Sequence, residues 1–140
     1  MAKTPSARPV RAIIGVAGGL VAWIVAATIG NLILRAAWPG YSQVEPSMNF
    51  TVGMMIARLL VGAVASLFAG LSAAWITKRR GRAVTVLAIL LPVLFIPVHY
   101  QLWQSFPVWY HLVFFASLIV LTLLGSLAFP RGVDRAAAAG

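Results

Sequence analysis

From Val52 to Ile76 the chain carries one charge, Arg58, and the run then stops at Thr77-Lys78-Arg79-Arg80-Gly81-Arg82. A helix needs about 20 mostly apolar residues to cross a bilayer, and this stretch exceeds that. Three further apolar runs follow the same plan: Ala12–Ala37, Ala83–Leu102 and Val108–Phe129. A soluble domain would be roughly a quarter charged, whereas this chain is 9% charged and 61% apolar. Lipid is therefore its solvent. The expected fold is all-α: one polytopic domain over residues 1–140, with spans at 12–37, 52–77, 83–102 and 108–129, in two antiparallel hairpins.

The punctuation between the runs supports these bounds. Trp38-Pro39-Gly40 ends the first span, Tyr41–Ser47 is expected as a loop, and Gln104-Ser105-Phe106-Pro107 as a tight turn. Pro130-Arg131-Gly132 stops the fourth span, and the Ala-rich tail Val133–Gly140 follows it. Pro92 and Pro97 interrupt the third, where each removes a backbone donor and bends the helix. The first run is too long for a signal peptide, whose apolar core is about 7–15 residues.

Charge fixes the threading. Of the 11 basic residues, Lys3, Arg8, Arg11, Lys78, Arg79, Arg80, Arg82, Arg131 and Arg135 lie at the termini or the middle loop. Only Arg35 and Arg58 lie toward the other side. Positive residues stay cytoplasmic, so both termini are expected there. The same distribution explains the net charge of +9 without nucleic acid, since no basic groove with interleaved aromatics is present. With no cysteine, disulfide exchange, iron–sulfur clusters and thiolate metal sites are excluded.

Small residues recur four apart in two spans: Gly18, Ala22, Ala26, Gly30 in the first and Gly62, Ser66, Gly70, Ala74 in the second. Such stripes let membrane helices approach closely. A hairpin turning near Glu45 pairs Gly30 with Gly62, Ala26 with Ser66, Ala22 with Gly70 and Gly18 with Ala74. The expectation is therefore a tight contact between the first two spans along these stripes.

Each span also offers a polar group in one layer beneath the outer loops: Asn31, Arg58, His99 and His111. At 1.5 Å per residue, the histidines lie roughly 4–6 Å inside the hydrocarbon edge. Arg58 can snorkel, its stem in lipid and its head at the interface. It can equally face inward, because it precedes Gly62 by four residues on the small-residue ridge. Inward charges in membranes usually hold a partner or a ligand. Arg35 is expected near it, so two guanidiniums compete for Glu45, and an anionic group such as a lipid phosphate would fill the deficit. A structural Arg58–Glu45 pair is the bland alternative.

His99 and His111 fit an interfacial belt with Tyr100, Trp103, Trp109 and Tyr110. The sharper reading makes them ligands of haem or a metal ion. A tight metal site wants a third or fourth ligand, and only Glu45 and Met48 are near. The two acids, Glu45 and Asp134, lie outside the spans, which argues against proton- or cation-coupled transport. Gly-x-Ser-x-Gly and His-Glu-x-x-His are absent, and nothing argues for catalysis.

Phe106-Pro107-Val108-Trp109-Tyr110-His111-Leu112-Val113-Phe114-Phe115 and Leu121-Thr122-Leu123-Leu124-Gly125 resemble the last helix of small uncharacterised four-span proteins of bacterial inner membranes. The resemblance covers about the last quarter of the chain. It implies an inner-membrane location and no particular activity. The leading expectation is thus a non-enzymatic membrane protein without a cofactor, acting through helix or lipid contacts, with Arg58 and Arg35 as anion holders and Glu45 as counter-charge. The alternatives are a redox or metal protein using His99 and His111, and an accessory subunit whose stripes contact a second copy or a membrane-complex partner.

Overall fold

The computed structural model describes residues 7–130, so Lys3, Arg131, Asp134, Arg135 and the tail Val133–Gly140 lie outside the described residues. Four long helices dominate: α1 (Ala7–Ala37), α3 (Val52–Thr77), α4 (Arg82–Gln101) and α5 (Val108–Ser126), with a short α2 (Pro39–Val44) after α1. All four long helices are long and apolar enough to cross a membrane. Ile13, Leu60 and Leu112 are each more than 60% exposed on the outer faces. Apolar surface on that scale calls for a bilayer around it. The protein is an all-α, multi-pass membrane protein.

Local sequence explains most helix ends. Thr51 has an extended backbone, and its hydroxyl accepts from Met54 N at 3.3 Å, capping α3. α3 closes on Lys78 in the left-handed conformation (φ 57°), with Arg79 N donating to Ala74 O at 3.1 Å. Two differences from expectation stand out. α1 is already helical at Ala7, ahead of the expected residue 12, and Arg11 Nε reaches across to donate to Ile76 O at 3.2 Å. A cation there meets the carbonyl end of α3, where the helix dipole is negative. And the loop expected at Tyr41–Ser47 is instead α2 and a 3₁₀ turn, Glu45–Ser47. Pro39 suits the first helical position, where no donor is needed.

α3 is the middle helix, with α1 and α5 on either side and α4 lying against all three. It can take neighbours on two sides because it has two adjacent ridges of small residues. Ala65, Ala69 and Ala73 are fully buried, as is Ser66, and Gly62, Gly70 and Ala74 are buried beside them. Gly15 and Gly19 of α1 meet the first ridge: a Cβ at Gly19 would lie 3.0 Å from Ala69 O and 3.2 Å from the Ala73 Cβ. The second ridge meets α5, with which α3 runs parallel. Arg58 faces Tyr110, Gly62 faces Phe114 and Gly70 faces Thr122, a constant offset along both helices. At Gly70 and Gly125 the two backbones touch: Gly70 abuts the Thr122 carbonyl and Gly125 the Leu67 carbonyl.

This corrects the expected pairing of stripes. The antiparallel register of α1 on α3 is as expected, within a few residues, because Gly15 meets Thr77 and Gly30 meets Val61. The faces are not. Gly18 meets the end of Ile76, and Ala22, Ala26 and Gly30 are only partly buried, while Gly15, Gly19 and Trp23 form the buried face of α1. The reason is α4. Its Ala83 comes over Gly15 and its Leu87 over Gly19, so α1 turns the face that seats two helices at once. Gly62 and Gly70 are then taken by α5, not by Gly30 and Ala22.

Candidate functional site

α1 and α4 run side by side toward the basic loop, where Ala83 comes over Gly15 and Leu87 over Gly19, and farther along Trp23 packs on Phe95, ring centroids 4.8 Å apart. Beyond that pair they part around a cleft of about 270 Å³. α1 contributes Thr28 and Asn31, α3 contributes Arg58 and Gly62, α4 contributes His99, and α5 contributes Tyr110 and Phe114. Three of the four expected layer residues, Asn31, Arg58 and His99, therefore line one cavity. His111 stands directly behind His99.

Arg58 does not snorkel to lipid. Its guanidinium donates through one terminal nitrogen to Tyr41 Oη at 2.6 Å and through Nε to Tyr110 Oη at 3.3 Å. It sits 4.9 Å from the Phe50 ring centroid and 5.9 Å from that of Phe106. Faces of aromatic rings attract a cation electrostatically, and the phenols supply neutral acceptors. Tyr41 is fully buried, and its hydroxyl donates a hydrogen bond to Asn31 Oδ1 at 3.3 Å. The polar chain runs from Arg58 through Tyr41 to Asn31.

Glu45 is not part of it. Arg35 grips Glu45 with two parallel hydrogen bonds, Nε to Oε2 at 2.8 Å and a terminal nitrogen to Oε1 at 2.6 Å. This is the planar fork that suits a carboxylate. The pair lies at the surface, with side chains 48% and 21% exposed. So Arg35, expected as a second anion holder, is occupied, and Glu45, expected as counter-charge to Arg58, serves Arg35 instead. Among the described residues no carboxylate lies within ion-pair distance of Arg58.

The histidines meet as the hairpin geometry of α4 and α5 requires. Their Nδ1 atoms are 2.6 Å apart, and both rings are buried, His111 completely. Trp103 stacks on His111 at 4.7 Å, and Phe114 and Phe115 pack on His99 at 4.4 and 4.7 Å. Two bonds of about 2.0–2.1 Å to one tetrahedral metal ion would hold the nitrogens roughly 3.4 Å apart. The observed separation is a hydrogen bond. No group of three or more His, Cys, Asp or Glu comes together among the described residues.

Deeper in the bundle Trp23 Nε1 donates to Ser66 Oγ at 3.1 Å, and Ser66 Oγ donates to Gly62 O at 2.8 Å. This closes the floor of the cleft. Sequence reasoning missed three participants. Tyr41 was hidden in the expected loop, and Tyr110 read as belt. Trp23 gave no signal beyond being a lone indole among apolar residues, which does need an acceptor when buried. No known protein family, curated protein or solved structure matches this chain.

Proposed function

We propose that this is a non-enzymatic protein of a bacterial inner membrane, both termini cytoplasmic, that holds the anionic group of a lipid in the cleft around Arg58. The observation that carries the reading is the unpaired guanidinium: Arg58 lines a cavity, its protein partners are neutral, and the nearby acid is spent on Arg35. The threading rests on the basic residues, which keep the α3–α4 loop cytoplasmic and put the cleft in the outer-leaflet half. The inner-membrane assignment rests on the resemblance of the last helix.

Size supports a headgroup over a larger guest. Drug-sized ligands occupy pockets of about 300–1,000 Å³, and this cleft, about 270 Å³, falls just below that range. The haem or metal reading is further weakened by the mutual hydrogen bond of His99 and His111. The accessory-subunit reading drew on the small-residue stripes, and the Gly62–Ala74 ridge is consumed inside the chain.

Native mass spectrometry of the detergent-released protein tests the proposal. The wild type is expected to retain an anionic phospholipid, and Arg58→Gln to lose it while keeping its helical circular dichroism. Equal retention by both proteins refutes the reading.

A further inference from the structure

The histidine pair fixes more than packing. A neutral imidazole has one N–H and one bare nitrogen. With Nδ1 facing Nδ1 at 2.6 Å, one ring must donate and the other accept. His111 Nε2 is buried without a hydrogen-bond partner. If His99 were the donor, His111 would carry its proton on that orphaned nitrogen, leaving a buried N–H unpaired, a rare and costly arrangement. If His111 donates, its Nε2 is a bare lone pair, which is more readily tolerated. The second arrangement is favoured. It leaves His99 protonated at Nε2, the ring nitrogen not used by His111, on a side chain that lines the cleft.

The donors carried by the side chains that line the cleft are then the Arg58 guanidinium, the His99 Nε2–H of this tautomer and the Asn31 amide. The cleft's lower wall is apolar, Trp23 and Phe95. Its rim residues Ile24 on α1 and Val98 on α4 are 52% and 44% exposed on the outer faces of those helices, so the cleft opens sideways, toward lipid.

We propose that His99 is a second ligand-binding residue of this site, donating its Nε2–H to the same anionic oxygen group as Arg58, and that His111 is the positioning residue that holds it in that tautomer. The ligand class is a phosphate or carboxylate amphiphile admitted from the bilayer between α1 and α4. This rests on the Arg58 reading and adds the second donor and the route.

The chain has only two histidines, so labelling histidine with ¹⁵N gives four ring nitrogens to assign, with His99→Gln identifying its own set. The expected spectrum of the detergent-purified protein shows one ring protonated at Nδ1, His111, and the other at Nε2, His99. Dodecyl phosphate is then the probe, with inorganic phosphate and dodecylphosphocholine as comparisons. Dodecyl phosphate is expected to shift the His99 Nε2 resonance, and inorganic phosphate at the same concentration to leave it in place. His99→Leu should weaken dodecyl phosphate binding by about tenfold to a hundredfold, the worth of one hydrogen bond to a charged group. His99→Gln, which keeps a donor at similar reach, should recover part of it.

The reverse tautomers, or an unshifted His99 resonance at saturation, overturn the proposal. So does equal perturbation by inorganic phosphate, which would make the site one for aqueous anions, or by dodecylphosphocholine, which would make its ligand zwitterionic. If His99→Leu binds normally while Arg58→Gln does not, the second donor falls and the Arg58 reading stands. If neither substitution matters, both fall.

Discussion

Placing a methyl group at Gly70 probes the contact on which the bundle depends. A Cβ there would overlap the Thr122 carbonyl oxygen and lie 2.8 Å from its carbon and 3.2 Å from Ser126 N. Carbon atoms settle about 3.5–4.0 Å apart, and backbone cannot swing aside as a side-chain tip can. α3 and α5 would have to separate by about 1 Å at the crossing. Overpacking of this kind costs about 1–3 kcal/mol. The better helix propensity of alanine returns up to about 1 kcal/mol, so Gly70→Ala is expected to destabilise by up to about 2 kcal/mol and to fall about 1–3 kcal/mol below helix glycines that have room for a methyl group. Gly125→Ala, whose Cβ would meet the Leu67 backbone, should cost a similar amount. Gly18→Ala meets only the flexible end of Ile76, and Gly53→Ala has nothing closer than 3.7 Å, so both should be neutral or stabilising by up to about 1 kcal/mol, the same propensity gain. Unfolding of the micelle-bound protein by sodium dodecyl sulfate, followed by circular dichroism, measures the series. Because the parting helices also draw Tyr110 from Arg58, Gly70→Ala should lose lipid retention as well. A Gly70→Ala protein as stable as Gly53→Ala would refute the close crossing of α3 on α5.

Trp23→Phe removes the donor to Ser66 while keeping most of the ring, and should cost about 0.6–1.5 kcal/mol in the same unfolding assay. Arg80→Met releases the Leu127 and Phe129 carbonyls that Arg80 now holds; amide exchange at the end of α5 should quicken while the middle of the helix keeps its protection. A single cysteine at exposed Ser47 is expected to react with a membrane-impermeant maleimide on intact cells, and one at exposed Arg79 only after lysis. The reverse pattern would invert the threading.

The number of spans could be read from apolar length and from proline and basic punctuation, because those signals are local. The direction of Arg58 was legible only as a choice between lipid and bundle, and Tyr41 and Tyr110, which take its hydrogen bonds, decide it. The packing face of α1 was not legible. Gly15 and Gly19 alternate with Gly18 and Ala22 on neighbouring ridges, and periodicity cannot choose between them; Ala83 and Leu87 of a distant helix do. The partner of Gly70 was out of reach for a related reason. A hairpin argument compares only helices adjacent in sequence, and the tightest contact here joins α3 to α5. Tyr41 was lost because a Pro-Gly pair reads as a break, yet Pro39 opens α2 and carries Tyr41 back under the bundle.

The distribution of the two kinds of arginine partner is the strongest argument that the cleft has an occupant. A guanidinium in the middle of a bilayer costs about 2.5–3.5 kcal/mol on insertion scales, less toward the interface, whereas exposed ion pairs contribute about 0–1 kcal/mol. Stability alone would give Glu45 to the more buried arginine and leave the exposed one to water. The chain does the opposite: Arg35, half exposed, holds Glu45 with both oxygens, and partly buried Arg58 keeps only phenols and ring faces. Tyrosine hydroxyls orient a guanidinium without neutralising it. An arrangement that aims an uncompensated cation into a cavity and diverts the competing acid elsewhere makes sense if the missing negative charge arrives with a ligand.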